Sequence, residues 1–117
     1  MVVCDVCSAP MNFEDGYALT TTQVVTTTKY WNYIISRFNL DEQLLNMYVP
    51  LQAMQRKGWL VCESCSNMFS FDRKLAREYA KSQKDPPGSG SADVQRTAAF
   101  AASAWRELHG TWPSWVR

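Results

Sequence analysis

Cys4-Asp5-Val6-Cys7 and Cys62-Glu63-Ser64-Cys65 hold all four cysteines of the chain, in two matched C-x2-C pairs that are each followed by Ser. Two residues between cysteines let a tight turn aim both sulfurs at one point. Two such turns supply four thiolates, the closed tetrahedral set that a structural zinc ion takes. One pair alone is a weak signal. Two pairs with no cysteine left over make Cys4, Cys7, Cys62 and Cys65 the predicted ligands of one Zn2+ ion. Four buried free thiols would behave as small hydrophobes, with no reason to pair at this spacing. An iron centre uses the same four sulfurs, so donor type does not separate the two metals, and zinc is expected as the commoner occupant. A dithiol redox pair would need only one of the two motifs.

The pattern resembles the broad zinc-ribbon and treble-clef classes of zinc finger, over Cys4–Cys7 and from Cys62 to about Lys84. Members of these classes often carry Gly just after the second cysteine of a knuckle, where the backbone turns tightly. Here those positions hold Ser8 and Ser66, and a long insertion, residues 8–61, separates the pairs. The resemblance implies a small zinc-binding domain.

A chain of 117 residues with a formal net charge of +1 reads as one domain with room for an appendage. Near-neutrality gives no global case for nucleic acid or membrane. No apolar run approaches the length of a transmembrane helix, and Met1-Val2-Val3 ahead of Cys4 has no signal-peptide character. The cysteines are therefore expected in a reducing cytoplasm, where metal thiolates prevail over disulfides.

The expected fold class is α+β: short strands, several helices, a zinc-stabilised domain over residues 1–84, a linker at 85–91 and a C-terminal helical appendage at 92–117. Tyr17 to Thr28, with Leu19, Val24, Val25 and six Thr, reads as a strand or hairpin. Thr28 is placed to cap a helix over Lys29–Phe38, with Trp31, Ile34, Ile35 and Phe38 on its core face and Tyr30, Tyr33 and Arg37 elsewhere. Asp41 to Lys57 reads as a helix burying Leu40, Leu44, Met47, Tyr48, Leu51 and Met54. Its first turn is acidic and its last basic, Gly58 stands as its stop, and Pro50 is expected to kink or divide it. A Met-bearing face of this kind also suits a partner groove, but a core stripe is the expectation.

Trp59-Leu60-Val61 reads as a short strand entering the second cysteine pair. Asp72 caps a helix from Arg73 to about Lys84. Leu75 and Tyr79 face one way on it, and the opposite side carries a basic stripe, Arg73, Arg77, Lys81 and Lys84. That stripe is the candidate nucleic-acid surface, although a solvated helix face explains it more simply. Asp85-Pro86-Pro87-Gly88-Ser89-Gly90-Ser91 has linker composition. Beyond it, Val94, Ala98, Ala101, Trp105 and Leu108 form a heptad-like seam that, with Trp112 and Trp115, is the candidate partner-binding surface. Folding of this helix back onto its own core is the alternative of equal weight.

No phosphate-binding loop or nucleophile elbow is present, and the single His109 has no evident partner. The chain therefore reads as a non-enzymatic zinc protein acting as a protein-interaction or oligomerisation module, through the C-terminal helix. Two alternatives stand beside it. One is a nucleic-acid-binding zinc domain using the basic stripe and the aromatic cluster. The other is a thiol redox or metal-sensing switch.

Overall fold

The computed structural model describes residues 2–116. Met1 and Arg117, the outermost residues of the two segments assigned above, lie outside the described residues. The architecture is α+β, two small antiparallel sheets and six helices. The first hairpin pairs β1 (Val2–Val3) with β2 (Pro10–Met11). After a 3₁₀ turn at Phe13–Asp15, β3 (Tyr17–Leu19) pairs with β4 (Trp59–Val61) in the register Tyr17↔Val61, Ala18↔Leu60, Leu19↔Trp59. Each cysteine pair directly follows a strand, β1 or β4.

The threonine-rich stretch is a strand only as far as Leu19. Thr20 then opens α1 (Thr21–Val25) with a reciprocal capping box, its hydroxyl on the Gln23 amide and the Gln23 side chain on its own amide. This box is a helix-start device that outweighs the β preference of Thr and Val. Thr21 is fully buried. Its hydroxyl donates to the Gln55 carbonyl (3.0 Å) and accepts from the Trp59 indole N–H (3.1 Å). One polar side chain thus ties α1 to β4 and to the turn after α3, and a buried hydroxyl so satisfied is stable where an unpaired one is not.

Helix α2 (Thr28–Phe38) starts one residue earlier than expected. Thr27 occupies its N-cap without a side-chain cap bond and spends its hydroxyl on the Gln23 carbonyl instead. The core face holds Trp31, Ile34 and Ile35 as expected, but Tyr30 rather than Phe38 completes it. Tyr30 packs edge-on against Trp31 and Trp59, with centroids 5.3 and 5.7 Å away, and burial pushes its phenol well above the usual range. Phe38 stays half exposed beneath Arg37.

Helix α3 (Glu42–Ala53) is capped by Asp41, whose carboxylate accepts from the Leu44 amide. Its buried residues are Leu45, Val49 and Ala53. Four of the six residues expected inside are outside: Leu44 is 43 % exposed, Met47 63 %, Leu51 61 % and Met54 61 %. Tyr48 is half-buried, and Leu40 alone of the six is buried. The helix is apolar on two opposite sides, so periodicity cannot say which side turns inward. The inner side lies against an Ala-rich helix, α6. Pro50 sits within the helix without dividing it. The helix ends at Met54, so Arg56 and Lys57 lie beyond its last turn and Gly58 is not its stop. The Gly58 amide donates to Asp85 (3.1 Å), and a Cβ there would meet that carboxylate at 2.8 Å, so close approach is what requires glycine at this position.

A four-residue helix, α4 (Glu63–Ser66), follows β4. Asp72 caps α5 (Arg73–Ser82) through the Leu75 amide, and Gln83, left-handed, ends it. The inward residues of α5 are Ala76 and Ala80, with Leu75 exposed and Tyr79 half-buried. The long helix α6 (Val94–His109), capped by Asp93 and stopped by left-handed Gly110, packs on α2 and α3.

Residues 85–91 do not act as a free tether. Asp85 holds Gly58, Ser89 is buried, and the Ala92 amide donates to the Ala53 carbonyl at 2.7 Å. Over its described residues, segment 92–117 likewise packs on the rest of the chain. Thr97, Ala101, Ala102, Ala104 and Trp105 are buried, and the last of the tail is held where the Ser114 amide and hydroxyl donate to the Glu42 carboxylate. Those bonds lower the Glu42 pKa. A chain this short needs its large apolar faces for its own core. No helix among the described residues is long and apolar enough to cross a membrane.

Removing residues 92–117 would put the inner faces of α2 and α3 in water. Against a net stability of about 5–15 kcal/mol, the lost burial of Trp105 and its neighbours amounts to several kcal/mol. The truncated protein is expected to lose cooperative unfolding and become insoluble. A soluble truncated protein with dispersed amide NMR signals would contradict this packing.

Candidate metal centre

The two strands that precede the cysteine pairs are brought side by side at their C-terminal ends. Asp5 does this twice. Its amide donates to the Leu60 carbonyl (2.8 Å), and its carboxylate accepts from the Leu60 amide (2.7 Å). Crowding around that carboxyl raises its pKa, and the Leu60 bond offsets part of the rise.

From Cys4 the chain makes a tight turn. The Ser8 amide donates to the Cys4 carbonyl (2.8 Å), and the Cys4 amide to the Ala9 carbonyl (2.9 Å). Ser8 stands at φ +64°, in the left-handed region where glycine is usual. The second pair is built differently. Cys62 is the N-cap of α4 and Cys65 lies in its first turn. Ser66 is therefore helical and buried, its hydroxyl donating to the Glu63 carbonyl (2.6 Å) and accepting from Arg73 (2.9 Å).

The four sulfurs lie within 4.8 Å of one another. Cys7 Sγ and Cys62 Sγ are 3.7 Å apart. Four sulfurs around a zinc ion at about 2.3 Å stand about 3.8 Å apart along each tetrahedron edge, so the cluster has the dimensions of a metal-thiolate site. Cys4 and Cys65 are buried and Cys7 and Cys62 half-buried, all as free cysteines. Backbone amides point at the sulfurs: Val6 and Cys62 toward Cys4 (3.4 and 3.3 Å), and Cys65 toward Cys62 (3.5 Å).

Burial raises the pKa of the Cys4 and Cys65 thiols, and neighbouring thiols add to the effect. Burial also acts upward on Cys7, but donation from the Ala9 amide and from the other cysteines outweighs it, and the net direction is down. Four thiolates can share this space only around a cation. A metal ion would deprotonate them outright.

Three arginines brace the knuckles. Arg37 of α2 donates to the Val6 carbonyl (3.3 Å). Arg73 of α5 reaches the Ser66 carbonyl and hydroxyl. Arg77 donates to the Glu63 carboxylate (3.0 Å) and lies over the Tyr17 ring, 4.3 Å from its centroid, while Arg73 approaches Glu63 at 3.8 Å. Tyr17 also donates to Glu63 (2.8 Å). The basic stripe is therefore not one free surface. Arg73, though exposed, and half-buried Arg77 are both turned onto α4, while Lys81 and Lys84 are exposed farther along the chain. Tyr30, buried, cannot stack a base.

The candidate partner seam on α6 is also divided. Ala101 and Trp105 are buried and Ala98 half-buried, while Val94, Leu108 and Trp112 remain exposed. Trp115 packs against the core, and Arg106 lies over Trp112. Sequence reasoning missed Asp5, Arg37 and Glu63. The one available signal was that Asp5 and Glu63 each directly follow a cysteine. Comparison with family models, curated proteins and solved structures finds no match to this chain.

The two serines after the knuckles should respond oppositely to glycine. Ser8→Gly relieves a left-handed Cβ and is expected to stabilise by about 0.5–1 kcal/mol. Ser66→Gly puts glycine in a helix and removes two hydrogen bonds, at a cost of roughly 2 kcal/mol. Denaturant midpoints at fixed metal content measure both, and equal responses would contradict the two knuckle geometries.

Proposed function

We propose that Cys4, Cys7, Cys62 and Cys65 bind one structural zinc ion and that the domain so held works as a protein-interaction or oligomerisation module. The observation that carries the metal assignment is the convergence of all four sulfurs to within 4.8 Å of one another, with amides directed at them. Four thiolates close the coordination shell and leave no open position for a substrate, which supports a structural rather than an enzymatic role. Thiolate donors suit iron as well; the resemblance to four-cysteine zinc fingers favours zinc. A reducing, cytoplasmic setting agrees with thiols kept free for metal.

The interaction role is supported by what the fold leaves uncovered, the outer face of α3 with Leu44, Met47, Leu51 and Met54. The nucleic-acid alternative is weakened by the engagement of Arg73 and Arg77 with Glu63. The redox-switch alternative has one observation in its favour, the half-buried Cys7 and Cys62 at 3.7 Å, and is set lower because the other two ligands are buried.

Protein purified without added metal is expected to contain one zinc per chain by elemental analysis. Acidification should release it, because protons compete with the metal ion for the four sulfurs. Cys62→Ser removes one ligand and leaves the other three uncompensated. It is expected to cost several kcal/mol, out of roughly 10–16 kcal/mol for such sites, and with it the native circular dichroism. A folded chain with neither zinc nor iron would overturn the assignment.

A further inference from the structure

The outer face of α3 has a spacing of its own. Leu44, Met47, Leu51 and Met54 follow one another at steps of three, four and three, on the side of the helix opposite the buried Leu45, Val49 and Ala53. A three-four step is the seam of a helix pair, and at this length it is one short contact rather than an extended coiled coil. The order three, four, three also reads the same in both directions. A second copy of the helix laid antiparallel across a two-fold axis brings Leu44 opposite Met54 and Met47 opposite Leu51. Both ends of the stripe then match at once.

The charges follow the same symmetry. Asp41 stands exposed at the start of α3, where Glu42 is turned to Ser114, and Arg56 and Lys57 stand just past its end. The two-fold that pairs the apolar residues sets the acidic end of one copy against the basic end of the other, and it opposes the helix dipoles favourably. A parallel pairing would put like charges together. Asp41, Arg56 and Lys57 are exposed, and Asp41 spends one carboxylate oxygen on the Leu44 amide.

From this palindromic stripe and its complementary ends, we infer that the chain self-associates as a two-fold dimer through antiparallel contact of α3 with α3 of a second copy. The contact is isologous, the same patch on both subunits, and therefore closes at two chains. Four apolar side chains per copy make it a small interface, so the dimer dissociates on dilution. This deepens the reading of the domain as an interaction module and is independent of the metal assignment.

Sedimentation equilibrium of the full-length, metal-loaded protein tests it. The mass is expected to rise from one chain to two between low and high micromolar concentration. Met47→Glu and Leu51→Lys, both at exposed positions, should keep the native circular dichroism and metal content and should each weaken self-association by more than about tenfold, since each buries a charge against an apolar partner. An equimolar mixture of the two variants should return to two chains, because Glu at 47 then faces Lys at 51 of the other copy. A wild-type chain that stays monomeric at every concentration, variants that still dimerise, or a mixture that does not recover would each overturn the proposal. A protein that is metal-loaded and monomeric fails this inference alone; one that is folded without metal fails the metal assignment instead.

Discussion

Four sulfurs must meet within a few ångströms at the ends of two strands that lie more than fifty residues apart in the chain. Their placement depends on the double bond between Asp5 and Leu60, which sets the end of β1 beside β4. It depends also on two different turns, a left-handed one at Ser8 and a helical one at Ser66. The charge that four thiolates carry in a partly buried site is not tolerable alone. A cation at the centre, with amides around the rim, would make it so. Through Arg37, Arg73 and Arg77 the same site is tied to α2 and α5, so the cysteine cluster and the helical core are one structure.

The core itself is aromatic at its middle and small at its edge. Tyr30, Trp31 and Trp59 fill the space between α2 and the β3–β4 sheet, while the alanines of α6 let that helix come close over α2 and α3. Thr21 is the polar point in this region. Its buried hydroxyl gathers the turn after α3, the tryptophan of β4 and the capped start of α1. What remains outside is the second apolar side of α3, which the described residues leave exposed.

The cysteine pairs were legible because ligand chemistry is local: spacing alone places two sulfurs on one turn. So were the cap at Asp72 and the strand Trp59–Val61, each of which rests on neighbours in sequence. The inward side of α3 was not legible. Leu44, Met47 and Leu51 are as apolar as Leu45 and Val49, and which side is buried was decided by α6, more than forty residues on. The threonine stretch was misread because residue-by-residue β preference was weighed without the Thr20–Gln23 box. Arg73 and Arg77 looked like a solvated or nucleic-acid face because Glu63 and Tyr17, their partners, are distant in sequence or on another element.

X-ray absorption at the metal edge of the purified protein tests the central claim most directly. The account predicts zinc with a single shell of four sulfurs at about 2.3 Å and no nitrogen or oxygen neighbour. A shell containing nitrogen or oxygen, or fewer than four sulfurs, would contradict it.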